Sequence, residues 1–346
     1  MMRGVILAGT AVTRPDAIGC LYRLEQGGGW TLADTLPQDA GVQALTPDPS
    51  HPDRVYAATR KGLYRSEDAG ATWSKLPAPE GVQYWSLLVD PKDPDRLFAG
   101  TSPVGVVRST DGGRTWAASA CDPGERYKIS FGASRMMKLA FHPTDPQVMY
   151  GAAEINGFYV STDAGLNWRR AVEGVSVLAD DPSLKNTELT DDDTEGMFDA
   201  HAVTTTAAKP GAAFYVCRMG VFETDDLGES MRDLDVGRFA PFRYTRDVRV
   251  APNDPKTLYA CFSIASRSHA GAMYRSPDLG ETWVRADPEM KATSTIMGFG
   301  VHVKEAGGIA SVTRHGQVFY TTDDGAHWSE AQLPADAGDA FCAAIL

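Results

Sequence analysis

Four residues able to bind or move charge recur at one place in a repeated pattern: Arg60 in TRKG, Glu154 in AEING, Arg218 in CRMG and Arg314 in VTRHG. Each phrase ends in glycine and runs on into a short strand-like segment, so the four occupy equivalent turns of separate units. Guanidinium groups offer forked donors that match a carboxylate, sulfate or phosphate. A glutamate set among them is suited to accept or deliver a proton. The pattern therefore suggests an anion-binding opening with a proton-transfer group on its rim. The structural alternative is that these arginines stack on aromatic rings or pair with Glu154 and nearby loop acids. If Arg60, Arg218 and Arg314 do converge, they should keep Glu154 ionised at neutral pH and make it a base rather than an acid.

Further candidates lie in the loops that lead towards the same place. Asp199, His201 and Asp247 stand near the starts of apolar runs and could supply a second proton-transfer group. Tyr84, Tyr127 and Tyr244 are candidate partner hydroxyls. Two insertions, 121–135 and 172–199, interrupt otherwise short connections, as contact loops and lids do. The first carries Arg126, Tyr127, Lys128 and Phe131, and the second is acidic. The expected catalytic set is thus Glu154, Asp199, His201 and Tyr127. The expected substrate contacts are Arg60, Arg126, Arg218, Arg314, Tyr84, Tyr244 and His315. His201, His269 and His315 could join Glu154 around a metal, but they come from separate units without ligand spacing, so no metal and no cofactor are expected. His142, in FHPTD, falls at the far end of its run and reads as structural.

The elements that must hold these residues are repeats. SEDAGATW, STDGGRTW, STDAGLNW and SPDLGETW begin at Ser66, Ser109, Ser161 and Ser276. TTDDGAHW begins at Thr321, and TDDLGESM, from Thr224, ends in Met231 instead of tryptophan. A decayed copy, RLEQGGGW, runs from Arg23 to Trp30. Each follows a short strand such as GLYRS or GFYVS, so each is the corner of a hairpin. The aspartate can accept turn amides, the glycine supplies positive φ, and the tryptophan covers the corner. A second phrase, as in LLVDPKDPDRLFAGT, gives two more strands per unit. Four strands make one propeller blade. Blade one lacks an inner strand, and the apolar tail 340–346 (AFCAAIL) is unspent. The two ends should share that blade and close the ring.

The box resembles the Asp-box, or BNR repeat, of the sialidase-like β-propellers, and the resemblance covers nearly the whole chain. It implies an all-β, seven-bladed propeller of four-stranded antiparallel blades, residues 1–346 forming one domain. It also implies boxes on the face away from the ligand. Sialidases grip a substrate carboxylate with three arginines, a role that Arg60, Arg218 and Arg314 would take here. The expected function is hydrolysis of a small anionic or sugar-like substrate in a central pocket. Photosystem assembly factors are similar seven-bladed propellers that only bind, and propellers also serve as metal-dependent lyases or lactonases. Those remain alternatives.

Composition narrows the field. A net charge of −12 argues against a nucleic-acid surface or an anionic membrane as partner. The apolar stretch near the N-terminus, Val5–Ala8, is too short for a signal core and reads as strand. Five scattered cysteines fit free thiols in the cytoplasm, with Cys217 more plausibly a packed core residue than a nucleophile. The expected partner is a small anionic molecule or a carbohydrate, and nothing in the sequence specifies an oligomeric state.

Overall fold

The computed structural model of the protein describes residues 4–25, 27–124, 133–185 and 195–346. Seven antiparallel sheets of four strands stand around a common axis, with one additional strand on the fourth. Blade two, for example, runs outwards through Val42–Pro47, Val55–Thr59, Gly62–Ser66 and Ser74–Lys75. The inner strands of blades three to seven are Gln83–Asp90, Arg135–Phe141, Ala200–Thr205, Tyr244–Ala251 and Ile296–Val301. Aromatic and branched side chains between the blades form the core, among them the fully buried Tyr56, Phe98, Tyr150, Phe214 and Phe262.

The repeated corner explains why the hairpins form. At Ser161 the hydroxyl donates to Asp163 Oδ1 at 2.9 Å and accepts the Gly165 N–H at 3.0 Å. Asp163 also accepts the Asn167 N–H at 2.9 Å, and Trp168 Nε1 donates to the Gly165 carbonyl at 3.1 Å. Two consecutive residues turn left-handed there, Ala164 at φ 61° and Gly165 at φ 83°. The sequence marks only the second, because the first is alanine, leucine or aspartate in most copies. The Thr224 corner keeps the same bonds without a tryptophan, so the polar network alone sets the turn. Hydrogen bonds from Thr115 and Ser109 hold the Asp111 carboxyl down at about 2. Trp328 departs from the pattern and donates to Ala286 of the preceding blade.

The ring closes as the unspent tail requires. Asp339–Ile345 forms the inner strand of blade one beside Ile6–Ala11, pairing Ile6 with Ile345 and Ala8 with Ala343. Two features were not legible in the sequence. Ala120–Cys121 adds a parallel strand to the outer edge of blade four. The second insertion contains a helix, Glu173–Ala179, docked by Val175 and Ala179. Gly174 lets it approach, since a Cβ there would lie 2.6 Å from the Ser230 carbonyl carbon.

Each inner strand also carries one extra residue near its start. The register slips leave Gln43, Trp85, Met137, His201, Arg246, Met297 and Phe341 unopposed in blades two to seven and one. Such bulges re-aim side chains, and all seven here line one axial cavity of about 130 Å³. The next residue along is small in five blades, namely Ala44, Ser86, Ala202, Gly298 and Cys342. Crowding explains this: a Cβ on Gly298 would stand 2.8 Å from the Phe341 carbonyl oxygen. The exceptions are Lys138 and Asp247, which meet each other at 3.3 Å.

Candidate active site

Glu154 ends the second strand of blade four, directly opposite Arg135 on the inner strand. The pairing sets a 2.8 Å ion pair between Glu154 Oε2 and Arg135 Nη1, and both side chains are largely buried. The Arg135 guanidinium lies 4.1 Å from the centre of the Trp85 ring, and that of Arg60 lies 5.6 Å from the same ring. Trp85 therefore gathers two cations at the top of the channel. Burial raises the Glu154 pKa, and the charge of Asp199 raises it further. Arg135, Arg246 and Arg218 oppose the rise without cancelling it. The expectation of an ionised base weighed the arginines alone; burial and a second carboxylate push this carboxyl upwards, towards keeping its proton.

Asp199 behaves in the opposite way. It is 1% exposed and forms a short ion pair with Arg218 Nε. Burial on its own would raise its carboxyl, but the positive charges of His201 and Arg218 hold it well below the usual range. His201 is itself kept neutral down to about 4, by burial and by Arg246. Above that pH Arg218 is the counter-charge that matters. His201 Nδ1 lies 2.6 Å from the Thr245 carbonyl and must donate to it, which leaves Nε2 bare, 3.5 Å from Asp199 Oδ2. Two acceptors face each other there, a geometry that recognises a hydroxyl donor.

Tyr244 and Arg246 complete the cluster. The Tyr244 ring is 5.1 Å from His201, and its hydroxyl accepts from Arg246 Nη1 at 3.3 Å. Among the described residues Arg246 has no carboxylate ion partner. Its pKa is nevertheless raised: burial opposes the charge, while Tyr244, Glu154 and Asp199 favour it. Asp199 Oδ1, His201 Nε2 and Arg246 Nε are buried without a hydrogen-bond partner among the described residues. Unsatisfied buried polar groups each cost about 1–3 kcal/mol, so their concentration here marks a place built for a polar ligand.

The remaining sequence candidates fall elsewhere. The three arginines do not share one opening. Arg218 is spent on Asp199, and Arg60, held against the Trp85 ring, borders an outer cleft with Lys61 and Gln83. Arg314 pairs with Asp339 at 3.0 Å, in a rim pocket that also holds His269 and His315. His315 therefore sits on the rim and apart from His201. Tyr84 is fully buried, its hydroxyl donating to the Pro79 carbonyl at 2.6 Å, so the structure does not bring it to the cluster. Asp247 lies lower in the channel, between Lys138 and Arg249. Arg126 and Tyr127 fall outside the described residues. No group of three or more His, Cys, Asp or Glu among the described residues is arranged to hold a metal. Cys217 is a core residue whose thiol burial pushes up, and His142 Nδ1 caps a turn by accepting the Asp145 N–H at 2.9 Å.

Sequence reasoning missed Arg135, Trp85 and Arg246. The available signal was polar or bulky residues at the starts of inner strands, as in SRMMKL, QYWSLL and YTRDVRV.

Comparison with known proteins agrees with this architecture. A model of the sortilin (neurotensin receptor 3)/Vps10 family matches residues 61–179. A xyloglucanase of Hypocrea jecorina is 24% identical over 352 residues, covering 93% of this chain and 37% of that enzyme. The chain thus spans little more than a third of the curated relative. Among solved structures, a GH74 enzyme of Niastella koreensis superposes with a TM-score of 0.61 at 16% identity, covering 84% of this chain and 45% of that one. YCF48 of Cyanidioschyzon merolae superposes with 0.55 at 13% identity, covering 86% of each. These likenesses show the fold, a seven-bladed propeller.

Proposed function

We propose that the chain is a single-domain propeller hydrolase, spanning 1–346, that cleaves a glycosidic bond in a carbohydrate or small anionic sugar at the top of its axial channel. The observation that carries this reading is the pair of buried carboxyls pushed apart, Glu154 upwards and Asp199 downwards. Such a pair assigns an acid and an ionised partner. Glu154 delivers its proton to the departing glycosidic oxygen, and the Asp199 carboxylate activates water or stabilises the cationic sugar. His201 Nε2 and Asp199 Oδ1 accept sugar hydroxyls, and Arg246 faces an anionic substituent. The xyloglucanase relative supports a glycan as substrate, and the hydrogen-bonded corners support placing the repeat with the Asp-box sialidase-like propellers. Five unpaired cysteines support a cytoplasmic setting.

The test is turnover of xyloglucan oligosaccharides and a panel of aryl glycosides by the parent, Glu154→Gln and Asp199→Asn. Glu154→Gln should lose about 10²–10⁴-fold in kcat while retaining oligosaccharide binding. Undiminished turnover in that variant would refute the assignment. A second reading, a binding propeller of the YCF48 kind, is favoured by the ion pairs already made by Glu154 and Asp199. It gains if the parent binds glycans or a protein partner and cleaves none of the panel.

A further inference from the structure

The channel opens at its other end into a second cavity, of about 420 Å³, to which all seven blades contribute. That volume is in the range of small-ligand sites, on the order of 300–1,000 Å³. Its wall is apolar, formed by residues such as Pro47, Leu88, Phe141, Val203, Val301 and Ala343. Its floor carries Lys138 and Arg249, which share one carboxylate. Asp247 lies 3.3 Å from Lys138 Nζ and 2.9 Å from Arg249 Nη2. Two half-buried cations on one buried acid leave an excess positive charge facing an apolar bowl, in a chain whose net charge is −12. Of the other cations on the lining, Lys92 is exposed to solvent, and Arg96 pairs with Asp90 at 3.0 Å and lies over the Phe98 and Phe141 rings. Burial, with Arg249 second, lowers the Lys138 pKa to about 8 despite Asp247, as expected of a cation short of counter-charge.

We propose that this bowl binds an amphiphilic monocarboxylate, its alkyl chain against the apolar wall and its carboxylate on Lys138 and Arg249. One negative charge balances the floor, and the carboxylate geometry suits the guanidinium fork. The wall supplies the hydrophobic term, about 25 cal/mol per Å² of apolar surface buried. The site is separate from the Glu154 cluster, with the ring of bulged side chains between them, and does not depend on the catalytic reading.

Calorimetric titration of the intact protein with decanoate, 1-decanol and decyltrimethylammonium tests this. Decanoate should saturate one site and bind at least about tenfold more tightly than decanol, with the ammonium compound weakest. Lys138→Met, which leaves the Asp247–Arg249 pair in place, should erase most of the preference for decanoate over decanol. Thr204→Trp, on the half-buried part of the wall, should weaken both ligands. Equal binding of decanoate and decanol would overturn the proposal. So would an undiminished preference in Lys138→Met, or no saturable decanoate binding below about 1 mM. If Lys138→Met does not melt cooperatively, the ligand series on the parent and Thr204→Trp decide.

Discussion

His201 offers the most direct test of the electrostatics at the top of the channel. Its ring is 3% exposed, and burial together with Arg246 lowers its pKa from 6.5 to about 4. A histidine depressed in this way favours the fold in its neutral form. Its contribution is fully present above about pH 6.5, where both states are unprotonated. It is lost as pH falls towards 4, because the unfolded chain takes up the proton first. A fall from 6.5 to about 4 corresponds to about 3 kcal/mol. Using about 2.1 cal/mol/K per residue for the unfolding entropy, that is on the order of 4 °C in melting temperature for a chain this long. Asp287 works against it, since burial raises its carboxyl to about 6 and its protonation favours the fold over much of the same window. The parent's own pH profile therefore mixes opposing terms. The informative quantity is the difference in melting temperature between the parent and His201→Asn, in which the amide can still donate to the Thr245 carbonyl. Calorimetric scans from pH 7 to pH 4 should show the parent's advantage shrinking by about 4 °C. A difference that stays constant across the window would refute the claim that His201 is a neutral, buried acceptor.

Two other outcomes follow from the scaffold. Deleting residues 339–346 exposes the inner edge of blade one and removes the buried Ala343, Ala344 and Ile345, a loss comparable to the whole stability of a domain, on the order of 5–15 kcal/mol. The truncated chain should show no cooperative melt by circular dichroism, and a transition within a few degrees of the parent's would contradict closure by that strand. Asp163→Ala removes the acceptor for Ser161 and Asn167 at one exposed corner and should cost about 1 kcal/mol. Ligand binding per folded molecule should be unchanged, and a binding defect at unaltered melting temperature would place function on the corner face.

Fold and site differ in how far the sequence discloses them. The corners are local, because the bonds that set the turn join Ser161, Asp163, Gly165, Asn167 and Trp168, all within eight consecutive residues. Closure was legible by counting, since blade one had no inner strand and residues 340–346 no hairpin. The site depends on a one-residue slip in each inner strand, which changes no composition and breaks an alternating pattern by a single place. An alignment anchored on the turn glycines accordingly selected Arg60, Arg218 and Arg314, which are engaged by Trp85, Asp199 and Asp339. It passed over Arg246 and Trp85, which the slips turn towards the axis. The protonation of Glu154 was unreadable for a related reason. Arginine count argues for an anion, whereas burial and Asp199 push the carboxyl upwards, and both are products of packing.

That division locates function in the departures from the repeat. At the position after the bulge, five blades carry small residues because neighbouring sheets leave no room for more. Blades four and six place Lys138 and Asp247 there, at a cost in desolvation that a merely structural ring has no reason to meet. The same holds one position earlier, where His201 and Arg246 interrupt a ring otherwise made of Gln43, Trp85, Phe341 and two methionines. The charged exceptions all come from blades four, five and six, the blades that also hold Glu154, Asp199, Arg218 and Arg249. Seven equal blades would make a symmetric channel with no preferred side. The clustering of these charged exceptions on three adjacent blades gives it one, so a ligand in the channel meets a charged side facing an apolar one.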